Sequence, residues 1–135
     1  MTSVQNFSDR FTIVVKLSGA ISDVELAGFI REYRTATDSY AGRSHLVLAD
    51  LRGMKALSPS NAKMLGEAIA YARARGVVRC AHLSDDSVAK LQAARLAREV
   101  DPDNRATVHV VSLAEAEATL AEARQMITQS MRQAR

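Results

Sequence analysis

Leu46-Val47-Leu48-Ala49-Asp50-Leu51-Arg52-Gly53-Met54-Lys55-Ala56-Leu57-Ser58-Pro59-Ser60 decides how the chain is read. An apolar run too short for a helix stops at an acid, crosses a loop containing a glycine, and restarts at a serine followed by proline. Continuous apolar character over residues 45–51, without alternation, suits a strand covered on both faces of a parallel or mixed sheet. Ser58 has the chemistry of an N-cap, and Pro59 fits the first helical position, where a missing N–H removes no bond. The stretch is therefore a strand, a loop and a helix start, the place where α/β sheets gather ligands and partners.

The same rhythm runs outward in both directions. Residues 11–17 form a β-branched run that ends at Ser18-Gly19 and reads as a strand, with residues 3–7 as a short antiparallel edge strand before it. Ser22 and Glu25 have capping-box spacing, and Leu26, Phe29, Ile30 and Tyr33 recur at helical intervals, so a helix begins there and ends before Gly42. The helix opened by Ser58 presents Ala62, Leu65, Ile69 and Ala72 inward and stops at Gly76. Residues 77–83 are a strand. A third helix over 84–100 carries Ala89, Ala93, Leu96 and Val100 on one side, and Asp101-Pro102-Asp103-Asn104 breaks it. Residues 107–111 form the last strand, and Ser112 and Glu115 cap a helix with Leu113, Ala116, Leu120, Ala123 and Ile127 on one face. The expectation is an α/β sandwich with a four- or five-stranded mixed sheet and four main helices, one domain over residues 1–127, and a frayed tail over 128–135.

Composition narrows the class of function. At 135 residues, 47% hydrophobic and 24% charged, the chain suits one domain with its own core. No apolar run approaches the roughly 20 residues that cross a bilayer, and residues 1–10 lack a basic head and apolar middle, so the expectation is a cytoplasmic protein that is not transmembrane. Cys80 is the only cysteine, which leaves no internal disulfide and no cysteine-pair metal site. His45, His82 and His109 lie in or at the ends of strands without ligand spacing, so no metal and no cofactor is expected. Nucleophile-elbow, phosphate-loop and dinucleotide fingerprints are absent, and the reading is non-enzymatic.

Charge is uneven along the chain. Residues 52–83 hold six basic residues against one acid, whereas 1–51 and 84–135 each carry one more acid than base. Arg52, Lys55, Lys63, Arg73, Arg75 and Arg79 thus carry the positive excess, either as a solvated helix face or as a footprint for an acidic partner. With no tryptophan and no aromatic interleaving, nucleic acid is not expected as that partner.

The order of elements, the Leu17-Ser18-Gly19 strand ending, the apolar strand into Asp50, the helix start at Ser58 and Gly76 before the next strand together resemble the STAS fold of bacterial anti-sigma factor antagonists, in particular its SpoIIAA-like branch. The resemblance covers residues 10–125. It implies a regulatory domain that works by binding a protein partner, with a phosphorylatable Ser or Thr in an Asp-Ser-(Ser/Thr)-Gly sequence at the helix start. This chain reads Ser58-Pro59-Ser60-Asn61 there, which puts Ser60 at the phosphoacceptor position and different residues at the other three. The contact surface implied is Arg52, Met54, Lys55, Leu57, Ser58, Lys63 and Met64; an ordinary first-turn serine is the plainer account of Ser60. The SpoIIAA-like branch also looks similar to lipid-carrying CRAL-TRIO-type domains. That implies an alternative, a carrier or sensor of a small lipid-like or anionic ligand in a pocket lined by Phe29, Tyr33, Met54, Leu57 and Met64, its head group held by Arg52 or Lys55. For Phe29, Tyr33 and the methionines, core packing is the competing account. A homodimer is left open.

Overall fold

A computed structural model describes residues 1–85, 91, 94–95, 98 and 106–133. Five strands form one mixed sheet in the order β1 (Thr2–Phe7), β2 (Thr12–Leu17), β3 (His45–Asp50), β4 (Val77–Leu83) and β5 (Thr107–Val110). β1 runs antiparallel to β2, and every later neighbour is parallel. Spatial order follows chain order, and the first two parallel steps are made by crossovers, α1 (Asp23–Asp38) after β2 and α2 (Pro59–Ala74) after β3. The last helix, α3 (Leu113–Gln133), follows β5.

Two cores lie on opposite sides of the sheet. On one side Ile13, Val15, Leu17, Val47 and Ala49 meet Leu26, Phe29, Ile30 and Tyr33 of α1 and Leu65, Ala68 and Ala72 of α2. On the other, Leu46, Leu48, Ala81, Leu83 and Val110 meet Ala116, Leu120, Ala123 and Ile127 of α3. All six residues of β3 are buried, which explains why its sequence is apolar without alternation.

The helices begin where their caps predict. Ser22 Oγ accepts from the Glu25 amide, but the Glu25 carboxylate pairs with the Met1 ammonium at 3.4 Å instead of closing the capping box. Ser58 caps α2 by accepting from the Asn61 amide at 3.2 Å, with Pro59 first in the helix. Ser112 caps α3 in the same way, while Glu115 accepts from the Val111 amide.

Several expectations need correction. Four main helices were expected, whereas three are described; the predicted helix over 84–100 falls largely outside the described residues, and Leu91, Ala94, Arg95 and Arg98 are the helical positions seen there. α3 continues to Gln133, past the predicted fray point, with Thr128 Oγ1 donating to the Arg124 carbonyl. Leu113 is 50% exposed, so the buried face of α3 begins at Ala116. On α2, Asn61 and Ala68 take buried places, and Ala62 and Ile69 pack at the edge of the same core.

Candidate functional site

The carboxyl ends of β2, β3 and β4 converge on the loop that follows β3. Asp50 is the last residue of β3 and is 8% exposed. Its carboxylate accepts from Arg52 three times: from the backbone N–H at 3.2 Å, from Nε at 2.9 Å and from an Nη at 2.8 Å. Residues two apart in extended backbone point the same way, so the strand ending itself aims the guanidinium at the acid. The Asp50 carboxyl is held below the usual carboxylate range, first by the Arg52 hydrogen bonds and against the opposing effect of burial.

Gly53 then turns the chain in the left-handed region, φ 76°. Its N–H donates to Asp85 Oδ1 at 3.2 Å, just past the end of β4, and its carbonyl accepts from Gly19 just past the end of β2. The Lys55 amide donates back to the Gly19 carbonyl at 3.0 Å, which gives a one-residue parallel bridge between Gly19 and Met54. Three strand ends therefore hold one loop. Its shape is fixed by backbone groups and two carboxylates before any partner arrives.

This clamp sorts the predicted site residues into two sets. Met54 is 2% exposed and turned into the core, and Leu57 lies half-buried against the same core. Lys55, Ser58, Ser60 and Lys63 are exposed, and Met64 is 39% exposed. Ser60, Lys63 and Met64 stand at i, i+3 and i+4 on α2, so they share one outward face over its first turn. Ser60 Oγ lies 3.3 Å from Ser58 Oγ, at the end of a helix whose first turn carries no acid. Arg52 projects from the same end, its guanidinium spoken for by Asp50.

The basic excess of residues 52–83 is not one patch. Arg52, Lys55 and Lys63 lie at the loop and the start of α2, whereas Arg73 donates to the Val77 carbonyl and Arg75 stacks 3.4 Å from the Tyr71 ring at the far end of that helix. A helix of 16 residues separates the two groups by about 20 Å.

Phe29, Tyr33 and Met54 do share a cavity, which lies between the sheet and the two crossover helices with Leu65, Cys80 and His82 among its walls. Its volume is about 50 Å³. Ligand pockets for organic molecules run to about 300–1,000 Å³, so this space is no larger than a water or two and admits no lipid tail unless α1 and α2 lift from the sheet. Leu57 and Met64 do not line it. Burial pushes the Cys80 thiol up to about 12, so no thiolate forms there near neutrality.

Sequence reading missed the residues that brace the loop from outside. Asn61, 6% exposed, donates from Nδ2 to Asp23 Oδ1 at 2.8 Å and ties the start of α2 to the start of α1. Gly19 and Asp85 supply the other two anchors. A glycine directly after a strand and an acid directly after the next are local signals, but their convergence on Gly53 depends on strand order, which no local pattern carries. No family model, curated protein or solved structure matches the chain.

Proposed function

We propose that this chain is a non-enzymatic regulatory domain of the STAS, SpoIIAA-like type that binds a protein partner through the loop and helix start at 52–64. What carries the reading is the contrast within that segment: a loop fixed from three strand ends by Asp50, Gly19 and Asp85 presents an exposed outer face of Lys55, Ser60, Lys63 and Met64. A rigid cationic rim around a partly exposed methionine suits an acidic partner with an apolar centre. Ser60 is the candidate phosphoacceptor. A phosphate there would sit on the amide end of α2, one turn before Lys63, and would neutralise most of the rim's positive charge.

The test is affinity capture from the source cell with the wild-type chain and with Lys55→Glu/Lys63→Glu as bait. Both substitutions lie on exposed positions, so thermal stability should move by less than about 1 kcal/mol. A protein retained by the wild type and released by the double variant is the expected outcome, and equal retention by both would remove this surface from the account. Intact mass before and after phosphatase treatment checks Ser60.

A further inference from the structure

Among the described residues, the outer edge of β1 pairs with no strand. Met1 and Ser18 exchange both backbone bonds, the Ser18 amide donating to the Met1 carbonyl and the Met1 ammonium to the Ser18 carbonyl. They precede the Thr2↔Leu17 pair of the β1/β2 register, and antiparallel pairs alternate between bonded and non-bonded. Ser3, Gln5 and Phe7 therefore bond inward to β2, and Thr2, Val4 and Asn6 turn their N–H and C=O groups outward. Among the described residues β2 is the only strand beside β1, so three donors and three acceptors line that edge.

Soluble proteins disarm such edges with lysine, proline, bulges or very short strands. Thr2-Ser3-Val4-Gln5-Asn6-Phe7 has none of these: it is six residues long, uncharged, free of proline and paired without a register shift. Above it, α1 overhangs and forms the other wall of a groove of about 520 Å³, with Val4 and Asn6 on the strand side and Arg31, Glu32, Thr35 and Ala36 on the helix side. Arg31 and Glu32 are exposed, and neither side chain is in an ion pair among the described residues.

The position of α1 decides what fits. The helix lies over β1 itself more than over β2. Two copies joined β1 to β1 would bring their α1 helices to about one strand spacing, near 4.8 Å, whereas packed helices need about 8–10 Å. A single extended strand carries no such helix and slides under the overhang.

We propose that the groove between β1 and α1 takes an extended peptide segment of a partner protein, added to the sheet as a sixth strand. Residues opposite Thr2, Val4 and Asn6 point toward α1. The one opposite Val4 is small and apolar, against Val4 and Ala36; those two positions to either side carry an acid for Arg31 and a base for Glu32.

Two blocked peptides test this with the full chain, Thr-Glu-Thr-Val-Thr-Lys-Thr and its charge-exchanged order Thr-Lys-Thr-Val-Thr-Glu-Thr, since the strand direction fixes which one matches. One of them should slow hydrogen exchange at the Thr2, Val4 and Asn6 amides by at least about tenfold at about 1 mM peptide, leaving Ser3, Gln5 and Phe7 as slow as before. If the segment adds antiparallel to β1, N-methylation of the peptide valine should abolish that protection and N-methylation of the threonine after it should not; if it adds parallel, the two effects exchange. Arg31→Glu should weaken binding about three- to tenfold, and Glu122→Arg, exposed on α3 across the sheet, should leave it unchanged. Protection by neither peptide, or protection that survives N-methylation at the valine and at the threonine after it alike, overturns the proposal. Protection of the same three amides that rises with protein concentration alone overturns it in favour of a second copy.

Discussion

Asp50 illustrates how much one side chain settles. A carboxylate at the end of a covered strand would be costly if it stood alone, and Arg52 makes it affordable by supplying three donors along one edge. Because the folded-state proton affinity of Asp50 is depressed below its unfolded value, the clamp contributes stability above the unfolded pKa near 3.8 and loses it as pH falls through the lower folded value. Asp50→Asn keeps the shape, halves the acceptor capacity and removes the charge. It is expected to destabilise the fold by about 1 kcal/mol at pH 7 and by less at pH 3, which thermal melts at the two pH values would register as a shrinking gap. A gap of constant size would mean that the ion pair contributes nothing beyond packing. The sequence shows the Asp-x-Arg spacing plainly. It gives no sign that Asp85, 32 residues from Gly53, completes the loop.

At the scale of elements, local chemistry was legible wherever a cap or a breaker stood. Ser22, Ser58 and Ser112 each accept from the amide three residues on, and β4 occupies the predicted 77–83. The inner face of α2 was read less well, because its alanines carry little periodic contrast: Ala68 is buried and Ala62 is not, and nothing in their type distinguishes them. Gly76 stops α2 for a stronger reason than the left-handed turn usual after a helix. Its φ is 115°, and an added Cβ would stand 2.3 Å from the Arg43 carbonyl oxygen and 3.0 Å from that of Gly42, backbone atoms that cannot swing away. Gly53 also has positive φ, yet nothing lies within 4 Å of its added Cβ. Gly76→Ala should therefore cost more than about 3 kcal/mol, and Gly53→Ala about 1 kcal/mol, the conformational term alone. Denaturant midpoints measured on both variants check the order, and equal losses would show that the contact with residues 42–43 relaxes.

For the whole molecule, the two-sided sheet has a consequence for its response to acid. The carboxyl-terminal part of β4, Ala81–Leu83, is covered on both faces and leaves no solvated side for a polar residue, so His82 is buried to 4% exposure, and its Nδ1 has no hydrogen-bond partner among the described residues. His109, its register neighbour on β5, approaches edge-on with ring centroids 5.4 Å apart. Burial first and the His109 charge second push the His82 imidazole down to about 4. The folded state then binds fewer protons than the unfolded chain between pH 6.5 and about 4, so stability rises with pH across that window and is flat above it. Burial lowers His45 in the same direction, from a place at the start of β3 where its Nδ1 donates to the Arg43 carbonyl. Both losses precede that of the Asp50 clamp, which lies at lower pH. Guanidinium midpoints taken between pH 7 and pH 4 should fall by the equivalent of about 3 kcal/mol for His82, and His82→Gln should remove most of that slope while lowering stability at pH 7. The His82 ring resonances should hold constant down to about pH 5; a ring that titrates near 6.5 would place His82 in water and take the wall of the α1–α2 cavity with it.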